Sequence, residues 1–320
     1  MQLSVKSAVL IFLLMAAVLY AVATVILIAW LWRRTRRKAE PKRSFAAKWT
    51  RREVLSLAGG GLACISWGYF IEPYRIEVTR TKIHTPKLQG SGRPIRLVHI
   101  SDLHCDSKVR NEEKLPGIIA ELQPNLIVYT GDSTNSPDNL ANFKGCLTRI
   151  ARVAPTYTCK GNWDTYYPNL DYFGGTGAVE LDGTSQRVEV NGTHLWLAGA
   201  SAGNQLSLTR RLNRALAEIP PEDFKVFLYH YPGLIYTLAD RGIDLHCAGH
   251  THGGQVALPF YGAITTMARF GKRFEAGLYR VHNTQLYVNR GIGMEGRYAP
   301  RVRFWCRPEV SLLEIDNDNT

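Results

Sequence analysis

Two histidines stand two residues apart in the stretch Cys247-Ala248-Gly249-His250-Thr251-His252-Gly253-Gly254, directly after the apolar residues 243–245. Glycines on both sides allow the backbone to turn tightly at the end of the buried strand that the apolar residues predict. Both imidazoles can then point into one small volume. Because histidine is the commonest metal ligand, the stretch indicates a metal site, provided that acidic partners lie elsewhere in the chain.

Acidic and amide partners do follow other apolar runs of the sequence. Residues 95–100, 126–129, 157–159 and 226–229 each predict a buried strand, and each leads into an Asp, Asn or His. In α/β sheets, functional groups gather beyond the carboxyl ends of the strands. We therefore predict one metal site from seven side chains: Asp102, His104, Asp132, Asn162, His230, His250 and His252.

The types of these side chains restrict the metal. All seven offer oxygen or nitrogen and none offers a thiolate, which suits Mn²⁺, Fe, Zn²⁺ or Co²⁺ without selecting one. Seven ligands are too many for a single catalytic ion that must keep a position open. They suit two divalent ions about 3.5–4 Å apart that share a carboxylate, and such a pair can bind phosphate and activate a water molecule.

The ordered series Asp-x-His, Gly-Asp, Gly-Asn, His and Gly-His-x-His resembles the calcineurin-like metallophosphoesterases over roughly residues 93–320. The stretches Gly-His-Thr-His-Gly-Gly-Gln and Leu286-Tyr287-Val288-Asn289-Arg290-Gly291-Ile292-Gly293 resemble its bacterial membrane-associated branch. That branch is similar to the UDP-2,3-diacylglucosamine pyrophosphatases of lipid A synthesis. The resemblance implies an α/β fold in which two mixed β-sheets pack as a sandwich with flanking helices.

The resemblance also implies a role for each residue of the set. One ion would bind Asp102, His104, Asp132 and His252, and the other would bind Asp132, Asn162, His230 and His250. Asp132 would then bridge the ions, and Asp132, Asn162 and His250 would be catalytic. Arg290 is the candidate ligand for a substrate phosphate, whereas Arg273 and Arg297 are more simply explained as surface charges.

The sequence departs from the family pattern at the proton donor. The family commonly has a histidine after Gly-Asn, and an Asp three residues after the bridging Asp often supports it. Here these positions hold Trp163 and Asn135. Because an alkoxide leaves poorly without a general acid, the change favours a pyrophosphate or an activated diester as substrate. Asp164 is an alternative acid if its pKa is raised.

The N-terminal region predicts a membrane anchor. Residues 8–32 carry no charge and exceed the roughly 20 residues that span a bilayer. Residues 33–52 hold ten Lys or Arg against Glu40, a net +9 of the formal +12, which leaves +3 for the rest. This distribution favours a lipid membrane and no nucleic acid as partner. We predict a transmembrane helix in 1–32, a basic linker over 33–53, a second apolar segment over 54–71 that spans or lies in the interface, a linker over 72–92 and the catalytic domain over 93–320.

These segments place the protein in the bacterial cytoplasmic membrane. If residues 54–71 also span, the catalytic domain is extracytoplasmic, which the resemblance of Thr50-Arg51-Arg52-Glu53-Val54-Leu55 to a twin-arginine signal favours. The alternative is the cytoplasmic face, which the pyrophosphatase resemblance favours. The leading function is a membrane-anchored dinuclear phosphohydrolase that cleaves a phosphodiester or pyrophosphate bond of a lipid-linked substrate. The alternatives are a broad-specificity phosphodiesterase on soluble substrates and a non-hydrolysing metal-binding scaffold.

Periodicity and turn signals predict several local elements. Apolar residues recur with helical spacing within 115–122, 140–150 and 208–219. Asn191-Gly192 predicts a hairpin turn, and residues 278–281 and 286–288 predict a second hairpin. Residues 165–187 have no clear period and are a candidate substrate loop.

Overall fold

The computed structural model describes residues 51–88, 93–295 and 301–317. The chain divides into two compact units, Met1–Ile65 and Ser66–Thr320. Of the first unit only residues 51–65 are described, and they lie in helix α1 (Arg51–Phe70). No helix in the described ranges is both long and apolar enough to cross a membrane. The predicted transmembrane helix in 1–32 and the basic residues 33–50 lie outside these ranges.

The first sheet of the second unit has six strands in the order β1-β14-β2-β3-β4-β5. Strand β1 is parallel to β14, β14 is antiparallel to β2, and β2 to β5 are mutually parallel. The strands are β1 (Glu77–His84), β2 (Ile95–Ile100), β3 (Leu126–Tyr129), β4 (Thr156–Thr158), β5 (Val179–Glu180) and β14 (Glu309–Asp316).

The second sheet also has six strands, in the order β12-β13-β9-β8-β7-β6. Its central strands β13, β9, β8 and β7 are parallel, and each edge strand is antiparallel to its neighbour. A short hairpin, β10 (Ala257–Leu258) and β11 (Gly262–Ala263), stands apart. The sheet strands are β6 (Thr184–Val190), β7 (Thr193–Gly199), β8 (Lys225–Leu228), β9 (Leu245–Ala248), β12 (Gly277–Val281) and β13 (Thr284–Val288).

Apolar faces hold the two sheets together. Leu97 and Val128 of the first sheet share one buried cluster with Leu197, Val226 and Leu245 of the second. Helices α2 (Leu115–Glu121) and α3 (Leu140–Ala151) cover the outer face of the first sheet. Helices α5 (Gln205–Leu216) and α6 (Ile235–Ala239) cover the second, and the short α4 (Asn162–Thr165) follows β4. The mixed-sheet α/β fold is therefore confirmed for this unit.

The predicted hairpins are present. Asn191 and Gly192 connect β6 to β7 with φ of 52° and 78°, the left-handed conformation that an Asn-Gly turn between paired strands requires. Strands β12 and β13 form the second hairpin. The three predicted helices are also present as α2, α3 and α5.

Two boundaries predicted from the sequence are wrong. Residues 77–84, predicted as linker, form the edge strand β1, which pairs with β14 along its whole length. The predicted substrate loop 165–187 contains β5 and the start of β6, and its Tyr172 and Phe173 are buried against the first sheet. Both errors arise because pairing and burial depend on residues that are distant in the sequence.

Candidate metal centre

The predicted ligands meet where loops of both sheets approach one another. The loops after β2, β3 and β4 are neighbours in the first sheet, and those after β8 and β9 are neighbours in the second. Six ligands form two groups, in each of which the donor atoms lie within 4.8 Å of one another. The groups are Asp102, His104 and His252, and Asp132, His230 and His250.

Asp132 lies between the two groups. Its Oδ2 is 3.2 Å from Nε2 of His230 and 3.5 Å from Nε2 of His104, which belongs to the other group. Asp102 Oδ1 lies 3.3 Å from Nε2 of His252. The carboxylate of Asp132 therefore occupies the position that a bridging ligand needs.

Three donor atoms at this centre are buried and make no hydrogen bond of acceptable geometry to any residue that the structure describes, although two of them face the carboxylate of Asp132. They are Nε2 of His104, Nε2 of His230 and Oδ1 of Asn162. A buried polar atom without a partner costs roughly 1–3 kcal/mol, so three within one cluster indicate missing ligands. Because all three are ordinary donors for divalent cations, the residues present fit two metal ions.

The backbone is strained at the ligands themselves. Asp102, His104, Asp132, His250 and His252 all have positive φ, between 39° and 72°. Residues other than glycine rarely adopt this conformation, and at functional sites it costs on the order of 1–3 kcal/mol each. Five such residues in one centre indicate that the fold holds these side chains in place against local preference.

Two glycines let the ligand loops approach closely. A Cβ atom at residue 249 would lie 2.2 Å from Asp102 Oδ2, and one at residue 161 would lie 2.2 Å from Asp132 Oδ1. Both distances are far below van der Waals contact. The glycines of the Gly-His and Gly-Asn motifs are therefore required by the space that the carboxylates occupy.

Hydrogen bonds orient the imidazoles. Asn135 Nδ2 donates to the carbonyl oxygens of His104 and Met294, at 3.0 and 3.1 Å, so Asn135 Oδ1 faces Nδ1 of His104 at 3.0 Å. Nδ1 of His230 lies 2.7 Å from the carbonyl oxygen of Thr130. In both histidines Nδ1 must carry the proton, which leaves the Nε2 lone pair free for a metal ion.

Asp164 positions the bridging aspartate. Its two oxygens accept hydrogen bonds from the backbone N–H groups of Asp132, Ser133 and Gly161, each at 2.9 Å. The other carboxylate oxygen of Asp132, Oδ1, accepts a hydrogen bond from the backbone N–H of Trp163 at 2.8 Å. Burial, followed by the charge of Asp132, raises the pKa of Asp164 to about 6. The raised pKa is the condition for Asp164 as an alternative acid, so that role stays a prediction, although both of its oxygens are buried and accept backbone hydrogen bonds.

The carboxylates and imidazoles of the centre shift one another's pKa values. Burial lowers the pKa of His230, but the negative charge of Asp132 outweighs this effect and brings the pKa to about 9. Burial alone would raise the pKa of Asp132, yet His230 and His104 hold it well below the usual range. His250, desolvated and beside His230, has a pKa of about 3. Divalent ions would replace the imidazolium protons as partners of the carboxylates.

Two aromatic side chains border the centre. The indole of Trp163 packs edge-on against His104 with ring centroids 5.4 Å apart, where the family pattern has a histidine. Tyr231 packs on His250 at 4.4 Å. The sequence predictions did not include Asn135 as an orienting group or Tyr231 as a wall, although Tyr231 directly follows the ligand His230.

The structure does not support Arg290 as a phosphate ligand. Its Nε donates to Glu309 at 3.0 Å and its Nη2 to Glu77 at 2.7 Å, so two carboxylates neutralise the guanidinium. Arg273 lies over the rings of Tyr236 and Phe274. Arg297 lies outside the described residues.

A cavity of about 280 Å³ opens beside the candidate metal ligand His250. Its lining is largely aromatic and aliphatic and includes Tyr231, Leu234, Phe270 and Phe274, with Arg269 as the cationic member. The cavity can receive an apolar group that is attached to a phosphorus atom at the centre.

Comparisons with known proteins agree with this geometry. The chain is 28% identical over 275 residues to the uncharacterized metallophosphoesterase YkuE of Bacillus subtilis, covering 82% of this chain and 92% of that protein. It is 29% identical to the phosphodiesterase YaeI of Escherichia coli, covering 83% and 99%. It is 25% identical to the UDP-2,3-diacylglucosamine pyrophosphatase LpxG of Chlamydia trachomatis, covering 77% and 91%.

The family model for calcineurin-like phosphoesterases matches residues 95–254, half of the chain, from strand β2 to the histidine pair. Six of the seven predicted ligands fall into two groups within this range, as a dinuclear metal site requires. The chain therefore belongs to the calcineurin-like phosphoesterase family and is a metallophosphoesterase, an enzyme that hydrolyses phosphoester bonds.

Proposed function

We propose that this enzyme hydrolyses a phosphodiester or pyrophosphate bond of a lipid-linked substrate and is anchored to the bacterial cytoplasmic membrane by its N-terminal segment. The observation that carries the chemical part is the position of Asp132 between two groups of closely spaced metal-binding side chains. The membrane part rests on the uncharged residues 8–32 and the basic residues that follow them.

The side chains of the centre have distinct roles in binding metal, orienting the ligands and positioning Asp132. Asp102, His104 and His252 would hold one ion, Asn162, His230 and His250 the other, and Asp132 both. When bound, two such ions act as Lewis acids on phosphate and supply an activated water. Asn135 and the Thr130 carbonyl keep the imidazoles in the metal-binding tautomer. Asp164 holds the loop that carries Asp132.

The type of bond follows from the missing proton donor. Trp163 offers no group that titrates near neutral pH, and its ring packs against His104. Cleavage that expels an alkoxide needs a general acid, whereas a phosphate leaves as a much weaker base. This supports a pyrophosphate or an activated diester as the bond that is cleaved.

Two observations support a lipid-linked substrate. The LpxG relatives are named as pyrophosphatases of UDP-2,3-diacylglucosamine. The cavity beside His250, which is lined in part by aromatic rings, can hold a hydrocarbon or aromatic group next to the reacting phosphorus. A phosphodiesterase acting on soluble substrates is the second candidate, which the similarity to the phosphodiesterase YaeI favours.

The test is a substrate comparison with the full chain. Hydrolysis of an aryl phosphodiester that requires added Mn²⁺ or Zn²⁺, and that Asp132→Asn abolishes, would establish the dinuclear chemistry. Absence of such turnover would favour the non-hydrolysing scaffold. A higher kcat/KM for UDP-2,3-diacylglucosamine than for water-soluble pyrophosphates would support the lipid-linked substrate, and the reverse order would favour the soluble alternative.

The expected extracytoplasmic placement stays a prediction. Reporters that function on only one side of the membrane, fused after Pro73 and at Thr320, test it directly. Signal from the cytoplasmic reporter at both points would contradict the placement and favour the cytoplasmic face.

A further inference from the structure

Several exposed apolar side chains form a surface that we call the apolar rim. It comprises Phe70, Leu258, Phe260, Tyr261, Ile264 and Trp305, all of which are exposed to solvent. Isolated exposed apolar residues are normal on a protein, but a contiguous set marks an interaction site. All six lie within the unit Ser66–Thr320.

Backbone hydrogen bonds join the three segments that carry the rim. The N–H of Arg303 donates to Gly68 at the end of α1, at 3.0 Å. The N–H of Phe304 donates to Gln255, and that of Ala257 donates back to Phe304, both at 2.9 Å. Residues 303–305 thus connect the end of α1 on one side with the β10–β11 hairpin on the other.

The backbone presents two rim side chains to solvent in an unfavourable conformation. Phe260 and Trp305 have φ of 64° and 55°, which bulky residues rarely adopt. The relative exposure of Phe260 is 110%, more than in its reference state, and that of Trp305 is 63%. Strain that exposes an aromatic ring, where folding would normally bury it, indicates a role outside the isolated protein.

Basic groups accompany the rim. Lys272 Nζ lies 3.4 Å from the ring centroid of Tyr261, and Arg269 and Arg273 lie on the same segment. Neither arginine has an acidic partner within the ranges that the structure describes, whereas Lys272 pairs with Glu275 at 3.4 Å. Aromatic rings beside Lys and Arg are typical of surfaces that rest at a membrane interface, where the rings enter the acyl boundary and the cations meet anionic headgroups.

We propose that the apolar rim docks onto the surface of an anionic lipid bilayer. The rim includes Phe70, the last residue of α1, and the chain before α1 contains the uncharged residues 8–32. A second copy of the chain is a poorer occupant, because a two-fold contact at the rim would bring the unpaired arginines of both copies together. The hairpin begins five residues after the ligand His252, so docking would also set the metal centre close to lipid. The proposal does not depend on which bond the centre hydrolyses.

Site-specific fluorescence on the full chain tests the docking. Cys64→Ser removes the exposed thiol, and the other five cysteines are buried. The environment-sensitive dye NBD is then attached after Phe260→Cys, Trp305→Cys or the control Val179→Cys, which lies on β5 at the opposite edge of the first sheet. Each protein is placed, one copy per disc, in nanodiscs of phosphatidylcholine with phosphatidylglycerol.

We expect a blue-shifted emission and quenching by doxyl-labelled lipid at 260 and 305 that is several-fold greater than at 179. Equal quenching at the three positions, or none at 260 and 305, would overturn the proposal. Protection that appears only with two copies per disc would identify a second copy as the occupant.

Because a dye could insert by itself, Arg269→Gln with Arg273→Gln is the second variant. It should reduce the quenching when phosphatidylglycerol is present but not in phosphatidylcholine alone, and an unchanged signal in both lipids would also overturn the proposal.

Discussion

Asn135 and His104 are coupled through a 3.0 Å contact between the amide oxygen and Nδ1, while the amide nitrogen of Asn135 donates to the carbonyls of His104 and Met294. The two donated bonds fix which end of the amide faces the imidazole. The amide oxygen in turn fixes the tautomer of His104 and presents Nε2 to the metal centre. A residue that departs from the family pattern therefore acts here as an orienting group for a ligand.

Replacing Asn135 should weaken metal binding. Asn135→Ala removes the group that orients His104, and loss of such a partner typically costs 10–100-fold in metal affinity. Asn135→Asp keeps an acceptor for Nδ1 and should lose less. Calorimetric titration of the metal-free protein with Mn²⁺ measures the change. The control is Asn142→Ala, which removes a hydrogen bond to Asp106 away from the centre. Equal affinities of the two alanine variants would contradict the role of Asn135.

Trp163→His should change the preference for leaving groups. A histidine at this position could protonate a leaving oxygen, so kcat/KM should rise more for alkyl and aryl monoesters than for pyrophosphates. The control is Trp163→Phe, which keeps an aromatic ring beside His104 but supplies no proton. If Trp163→His changed kcat/KM by the same factor for all substrates, the absence of a general acid would not explain the choice of leaving group.

The pair of Arg290 and Glu309 should make stability depend on pH. Burial alone would raise the pKa of Glu309, but Arg290 and the hydrogen bonds to the carboxylate lower it below the usual 4.5. A carboxyl group whose pKa is depressed by folding stabilises the protein above its unfolded pKa. That stability is lost as the pH falls from about 4.5 through the depressed value.

Denaturant unfolding at a series of acid pH values measures this effect. Glu309→Gln should reduce the loss of stability below about pH 4.5, because glutamine binds no proton in either the folded or the unfolded state. Arg290→Gln leaves a buried carboxylate unpaired and should cost about 3–5 kcal/mol, with no specific rise in KM for substrate. The control is Glu189→Gln, whose exposed pair with Arg187 should contribute little. A large rise in KM for Arg290→Gln with unchanged stability would restore Arg290 as a phosphate ligand.

The parts of this account that depend on local sequence could be predicted. The seven candidate ligands follow five predicted strands, so apolar runs and the residues after them predicted the convergence of Asp102, Asp132 and His250. The two packed sheets were implied by the resemblance to the calcineurin-like metallophosphoesterases. The hairpin turn at Asn191-Gly192 could also be predicted, because two adjacent residues determine its conformation.

The parts that depend on long-range pairing could not be predicted. Strand β1 has only two apolar residues, Val78 and Ile83, and no polar–apolar alternation that would predict a strand. It becomes a strand because β14, over two hundred residues away, pairs with it. The two carboxylates that pair with Arg290 come from β1 and β14. Because the pairing of these strands could not be predicted, the partners of Arg290 could not be predicted either. The positioning role of Asp164 could not be predicted either, because the backbone N–H of Asp132, which it accepts from, lies in a different loop.

The central claim is that Asp132 bridges two metal ions, and metal analysis of Asp132→Asn tests it most directly. A neutral amide cannot balance two dications, so the variant should lose both ions or hold them far more weakly, and turnover should be abolished. The matched control is Asp106→Asn, because Asp106 is also buried but pairs with Arg110 and Arg301 outside the centre. We expect two ions per chain in the wild type and in the control, and fewer in Asp132→Asn. Two tightly bound ions and near-normal turnover in Asp132→Asn would contradict the dinuclear assignment.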